Sequence, residues 1–276
     1  MNKGISLHIG VNSVDPNIYG NWEGKLSACE ADAKAMHKIA KSQGYHTNLL
    51  LTKEAKRETV LDNIYSATRT TEKGDIFFIS FAGHGGQVPD VSGDEIDKLD
   101  ETWCLYDGQL LDDELTYAFS KFKQGVRVLL ISDSCHSGTV SRSNDFANEP
   151  KQGPDGIGFR CMYPKEAFSA YRTNRSLYDE IKRDMPNPLP NPLATVKSIT
   201  ACRDDERAAD GKKNGFFTTY LLKVWKEGRF DGDYDAFFRK LESKMKWKTL
   251  WDNRKQHPTF HVNGPQHEMF DLPFKI

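Results

Sequence analysis

Short apolar runs alternate along this chain with segments whose apolar residues recur every three or four positions. Residues 5–11 read as a first strand. Residues 23–43 read as a helix in which Leu26, Cys29, Ala33, Met36 and Ala40 share a face, with Gly44 as its stop. Residues 46–51 form a second predicted strand and 57–70 a second helix. The stretch 75–82 (Asp-Ile-Phe-Phe-Ile-Ser-Phe-Ala) is apolar without alternation, the pattern of a strand covered on both faces. After an acidic loop come a short strand at 103–105, a helix at 112–123 and a second fully apolar strand at 126–132. A strand at 195–201 and helices at 215–227 and 234–246 complete the series. Such alternation predicts an α/β fold with a mostly parallel central sheet flanked by helices.

One segment breaks the pattern. Residues 141–192 hold seven of the chain's 12 prolines and show little periodicity, so they read as a long loop, usually a sign of function or disorder. That loop separates a first half, 1–140, from a second, 193–276, within one predicted domain. It carries eight basic residues: Arg142, Lys151, Arg160, Lys165, Arg172, Arg175, Lys182 and Arg183.

Composition narrows the class. The 38 basic and 39 acidic side chains leave a formal charge of -1, which argues against a nucleic-acid coat or a polybasic membrane anchor. No apolar run approaches the ~18 residues of a membrane span, and the N-terminus has no signal-peptide pattern, so a soluble, cytosolic protein is expected. The five cysteines are widely spaced with no CxxC pair, which disfavours a zinc site or a disulfide framework. Each is then a small core residue or a reactive thiol.

The candidate chemistry sits where the two apolar strands end. One runs into Gly83-His84-Gly85-Gly86, the other into Ser132-Asp133-Ser134-Cys135-His136-Ser137-Gly138. In parallel sheets ligands bind beyond the carboxyl ends of the strands, so neighbouring strands would present an imidazole and a thiol at one edge. A thiol beside an imidazole is a nucleophile with its base. Alone, either residue would more simply be core. Asp133, two positions before Cys135, points to the thiol's side of an extended chain. A phosphate-cradle reading of the glycine turn lacks both the P-loop Lys-Ser/Thr and a GxGxxG pattern.

These segments resemble the catalytic motifs of the caspase and metacaspase cysteine peptidases (clan CD), including bacterial orthocaspases. The separation of His84 and Cys135 by 51 positions matches the roughly 50 described for caspases. Further likeness runs through 93–101, 111–115, 201–210 and the C-terminal region. The resemblance implies a three-layer caspase-like sandwich, Cys135 as nucleophile, His84 as general base, and an oxyanion hole from the backbone N–H groups of Gly85 and Cys135. It further implies cleavage after Arg or Lys, with Asp32 joining Asp133 in the pocket and Asp204 and Asp205 along the same cleft. Ala82 stands where metacaspases usually carry Ser, and His136 is expected to be structural.

The dyad itself needs no cofactor. In calcium-activated metacaspases acids matching Asp100, Asp112 and Asp113 bind the ion, but a further family Asp is here Arg142. The resemblance also implies self-cleavage in the basic loop, within 160–183, at a candidate such as Arg160, Lys165, Arg172, Arg175, Lys182 or Arg183. Control is expected from that loop, an ion or an activating protein. The alternative is a caspase-fold signalling module, inert alone.

Overall fold

The computed structural model describes residues 2–89, 99–135, 157–252, 255–265 and 271–276. In chain order its strands and helices are β1 (Gly4–Gly10), α1 (Cys29–Ser42), β2 (His46–Leu51), α2 (Arg57–Thr70), β3 (Ile76–Ala82), β4 (Gly85–Pro89), β5 (Leu99–Leu105) and β6 (Gly108–Leu111). There follow α3 (Asp112–Phe119), β7 (Arg127–Asp133), α4 (Pro164–Thr173), α5 (Arg175–Asp184), β8 (Thr195–Thr200), α6 (Phe216–Trp225), α7 (Tyr234–Asp252) and β9 (Thr259–Asn263). The main sheet has the order β2-β1-β3-β7-β8-β9, and only β9 runs antiparallel to its neighbour.

The two unbroken apolar stretches are its central strands. Side chains alternate across a strand, so a strand covered on both sides needs apolar residues at every position. Phe77, Ile79 and Phe81 of β3 and Val128 of β7 pack with Val60 and Ile64 of α2 and Leu115 and Phe119 of α3. Ile76 and Phe78, with Leu129 and Ile131, face the opposite layer: Met36 and Ile39 of α1, Phe217 and Leu221 of α6, Phe237 and Leu241 of α7. The result is the three-layer sandwich expected. No helix among the described residues is long and apolar enough to cross a membrane.

Three differences from the sequence reading matter. First, α1 starts at Cys29 rather than near residue 23, because its cap comes from afar. Asn12 Oδ1 accepts from the N–H groups of Cys29 (2.9 Å) and Glu30 (3.3 Å). Second, a separate antiparallel sheet, β4-β5-β6, follows the glycine turn. Third, residues 164–184 of the expected loop are helical. The helices α4 and α5 bury only Ala167, Ala170 and Tyr178, a face too slight to give an apolar period.

Candidate active site

The register of the central strands sets the geometry. β3 and β7 pair from Ile76↔Arg127 to Ala82↔Asp133, and His84 and Cys135 each follow two residues after that last pair. Both therefore emerge at one edge of the sheet. Gly85 lies so close to the Cys135 carbonyl oxygen that a Cβ would fall 1.8 Å from it, so no other residue fits there.

His84 is buried beneath Trp22, with ring centroids 4.8 Å apart. Its Nε2 lies 3.2 Å from the Gly24 carbonyl oxygen, and a carbonyl only accepts, so Nε2 carries the proton. Nδ1 is then the basic nitrogen, and no partner of good geometry occupies it among the described residues. Burial lowers the imidazole pKa to about 4, against smaller raising effects from the Gly24 carbonyl and the charge of Asp210. The ring is neutral at physiological pH, as a general base must be. Cys135 is buried as well. Burial raises its thiol pKa, and its Sγ accepts a hydrogen bond from the Ala208 N–H (3.1 Å).

The space between these residues is filled by the chain itself. Residues 158–160 lie antiparallel to 208–210: Arg160 N donates to Ala208 O (2.9 Å), and Asp210 N donates to Gly158 O (2.9 Å). A bridge pairs Phe159 with Ala209, and another pairs Cys161 with Gly85. The Arg160 carbonyl oxygen accepts from both Gly85 N (3.0 Å) and Cys135 N (3.1 Å). These are the two donors predicted for the oxyanion hole.

The Arg160 side chain, 0% exposed, enters a socket of three carboxylates. Its Nη2 contacts Asp32 Oδ2 (2.5 Å) and Asp210 Oδ1 (3.0 Å), Nη1 contacts Asp133 Oδ2 (3.0 Å), and Nε donates to Asp210 Oδ1 (3.4 Å). Nη1 also donates to the Asp133 carbonyl oxygen (3.0 Å). Burial opposes the guanidinium charge, but the surrounding carboxylates, Asp133 foremost, outweigh it and raise the pKa. Burial raises Asp32 to about 6, partly offset by Arg160.

Helix starts hold the acids in place. Asp32 accepts from Gly215 N (3.1 Å), and Asp133 accepts from Thr218 N (3.2 Å) and the Thr218 hydroxyl (2.7 Å), all at the beginning of α6. Asp210 accepts from Ser27 N (2.7 Å) and Ala28 N (3.3 Å), just before α1. Unpaired N–H groups and helix dipoles favour carboxylates at these ends.

The sequence model for the Caspase domain, a peptidase family, matches residues 3–270. The chain belongs to the caspase-domain family. Curated relatives of this caspase-domain chain include Metacaspase-1 of Schizosaccharomyces pombe, 27% identical over 259 residues, covering 82% of this chain and 59% of the relative. Metacaspase-1 of Mycosarcoma maydis is also 27% identical, covering 80% and 62%. The chain thus spans about three fifths of the length of these relatives. A crystal structure of a protein from Geobacter sulfurreducens matches with TM-score 0.88 and 44% identity over 99% of both chains. Caspase-1 from Spodoptera frugiperda shares the fold, with TM-score 0.57 at 10% identity over 94% of this chain and 86% of the other.

Within this caspase-domain fold, His84 and Cys135 leave the same sheet edge, Gly85 lies against the Cys135 carbonyl, and Asp133 and Asp32 meet at Arg160. Asp204 and Asp205 do not. They are exposed on a turn, and the third carboxylate against Arg160 is Asp210. A register argument confined to strand ends could not find it. Its signal was its place at the end of the family-like stretch 201–210. Gly24, Trp22 and Thr218 also escaped notice, since loop carbonyls and a helix-start hydroxyl carry no local pattern.

The other basic candidates lie apart from the dyad. Lys165 and Arg172 are exposed on α4, and Arg175 and Arg183 on α5. The buried Lys182 side chain pairs with Asp100 and donates to the Pro89 carbonyl. Of the acids of the expected calcium site, Asp100 is paired with Lys182, and among the described residues no group of three or more His, Cys, Asp or Glu side chains is placed to hold a metal. Asp112 has its carboxyl pKa raised by burial and by Asp113, Glu101 and Asp100. His136, Arg142 and Lys151 lie outside the described residues.

Proposed function

We propose that this chain is a cysteine endopeptidase that cuts after Arg, and that its first substrate is its own Arg160–Cys161 bond. One observation carries the reading. The Arg160 carbonyl oxygen bridges the N–H groups of Gly85 and Cys135 while its guanidinium fills the acidic socket.

The chemistry follows from the positions. Nδ1 of His84 takes the proton of Cys135, and the sulfur attacks the Arg160 carbonyl carbon. Negative charge develops on an oxygen already facing two N–H donors, each worth roughly 2.7–4 kcal/mol in such sites. The imidazolium returns its proton to the Cys161 nitrogen, the amine leaves, and water, deprotonated by His84, hydrolyses the thioester. Gly24 holds the ring in the tautomer this requires.

The socket favours Arg over Lys. Contacts from Nε, Nη1 and Nη2 engage three carboxylates and a backbone carbonyl at once, using the fixed fork of the guanidinium. An ammonium offers three donors from a single point and cannot span them. In this uncut form the cleft holds the chain's own segment, so foreign peptides wait until the segment is cut or an activator draws it out. We further propose that Lys182, rather than calcium, neutralises Asp100.

Intact-mass measurement tests this directly. Wild type is expected to convert into fragments 1–160 and 161–276, and then to hydrolyse Arg peptides well, Lys peptides less, and Asp peptides not at all. Cys135→Ala stays whole. Cutting elsewhere only, or activity confined to Asp peptides, overturns the reading.

A further inference from the structure

The residue after the proposed cut is a cysteine, and its sulfur meets the nucleophile. Cys161 is pinned by the Cys161–Gly85 bridge and by the shared Arg160 carbonyl. Its side chain shares one almost fully buried cluster with that of Cys135, and each thiol is close enough to perturb the other's ionisation. A third thiol, Cys202, lies in the same cluster but directs its Sγ toward two backbone carbonyls, Ser134 O (3.7 Å) and Glu206 O (3.6 Å). All five cysteines are free.

We propose that the Cys135–Cys161 pair is an oxidative cross-linking site, at which a small peroxide joins the two sulfurs and latches the uncut chain shut. The proposal rests on Cys135 being the nucleophile. In the first step one Cys135 thiol and one hydrogen peroxide give a sulfenic acid and water. In the second, the Cys161 thiol displaces hydroxide from that sulfur, forming the disulfide and a second water. Two thiols are oxidised by two electrons in all, and the peroxide is reduced. Little rearrangement is needed because the two sulfurs are already neighbours. Once bonded, Cys135 has no lone thiolate to attack Arg160, and residues 160–162 cannot leave the cleft. Cutting at Arg160 abolishes the site, since Cys161 then departs as a new N-terminus. The latch therefore belongs to the uncut form alone.

The test uses mass rather than activity. Full-length chain kept uncut by the substitution Arg160→Gln, and wild type at early times, are exposed to hydrogen peroxide and digested without reduction. The expected product is a linked pair of segments carrying Cys135 and Cys161, two fewer thiols open to maleimide after denaturation, and full reversal by dithiothreitol. Cys161→Ser should abolish the link and Cys202→Ala should leave it. Cys135 found only as sulfinic acid, or linked to Cys202 instead, overturns the proposal. Linked wild type that after reduction never cuts any Arg peptide would overturn the peptidase reading and leave the cross-link standing. An active chain without the link does the reverse.

Discussion

Arg160 is the residue on which the molecule turns. Three buried carboxylates converge on its guanidinium, and removing one partner of a buried ion pair leaves charge that water cannot reach. Arg160→Gln is therefore expected to destabilise the fold by about 3–5 kcal/mol, a fall in Tm on the order of 10 °C for a chain of this size, and to block self-cutting. Differential scanning calorimetry and a gel read the two effects. A stable, uncut variant would mean that the socket hydrates freely. Asp210→Asn tests the socket from the other side. Losing a charge-assisted pair worth about 1.5–3 kcal/mol should lower kcat/KM on Arg peptides roughly 10–100-fold, with a smaller loss on Lys peptides. Equal losses on both would remove Asp210 from specificity.

His84 adds a pH signature. Its pKa near 4 in the fold lies below its ordinary 6.5, so the unfolded chain takes up the proton first as pH falls. Stability associated with this ring is present above pH 6.5 and lost between 6.5 and 4, about 3 kcal/mol in all. Asp32, raised to about 6, titrates in the opposite sense, gaining a proton in the fold before it would when unfolded. The two partly cancel in wild type. The difference between wild type and His84→Gln, followed by urea melts from pH 7.5 to 4.5, should isolate the imidazole and shrink as pH falls. A difference constant with pH would show that the ring is solvated.

At the scale of elements, what the sequence disclosed follows from where each signal was written. The strands β3 and β7 were legible because burial on both faces demands unbroken apolar runs, and their ends led directly to His84 and Cys135. The start of α1 was not legible, because Asn12, remote in sequence, supplies its cap. The helices α4 and α5 were hidden because they bury only three side chains between them, and with them the role of Lys182. That lysine ties α5 to Asp100 at the start of β5, and so holds the segment following Arg160 against the first half of the chain. Lys182→Met should cost about 3–5 kcal/mol, because Asp100 would stay buried without that cation. Calcium added to chelator-treated wild type is expected to leave both self-cutting and peptide turnover unchanged. Turnover that rises with calcium would return Asp100, Asp112 and Asp113 to the metal role expected from sequence.

Across the whole molecule, on the proposed reading, substrate and catalyst are parts of one chain already docked against each other. The Arg160 carbonyl accepts from the two N–H groups of the proposed oxyanion hole and its side chain is sealed from solvent, so a second molecule has no route to the bond. Self-cutting should then be a unimolecular step, in which orientation has been settled by folding rather than by encounter. Its half-time is expected to stay constant over a hundredfold dilution. Cys135→Ala chain mixed with active wild type should be cut far more slowly than wild type cuts itself. Peptide hydrolysis by freshly prepared chain should show a lag equal to that half-time, because the cleft accepts a foreign Arg only after residues 158–162 have left it. A half-time that lengthens in proportion to dilution would mean that the seated segment is a resting plug cut by another molecule, and that the geometry around Arg160 inhibits rather than prepares the reaction.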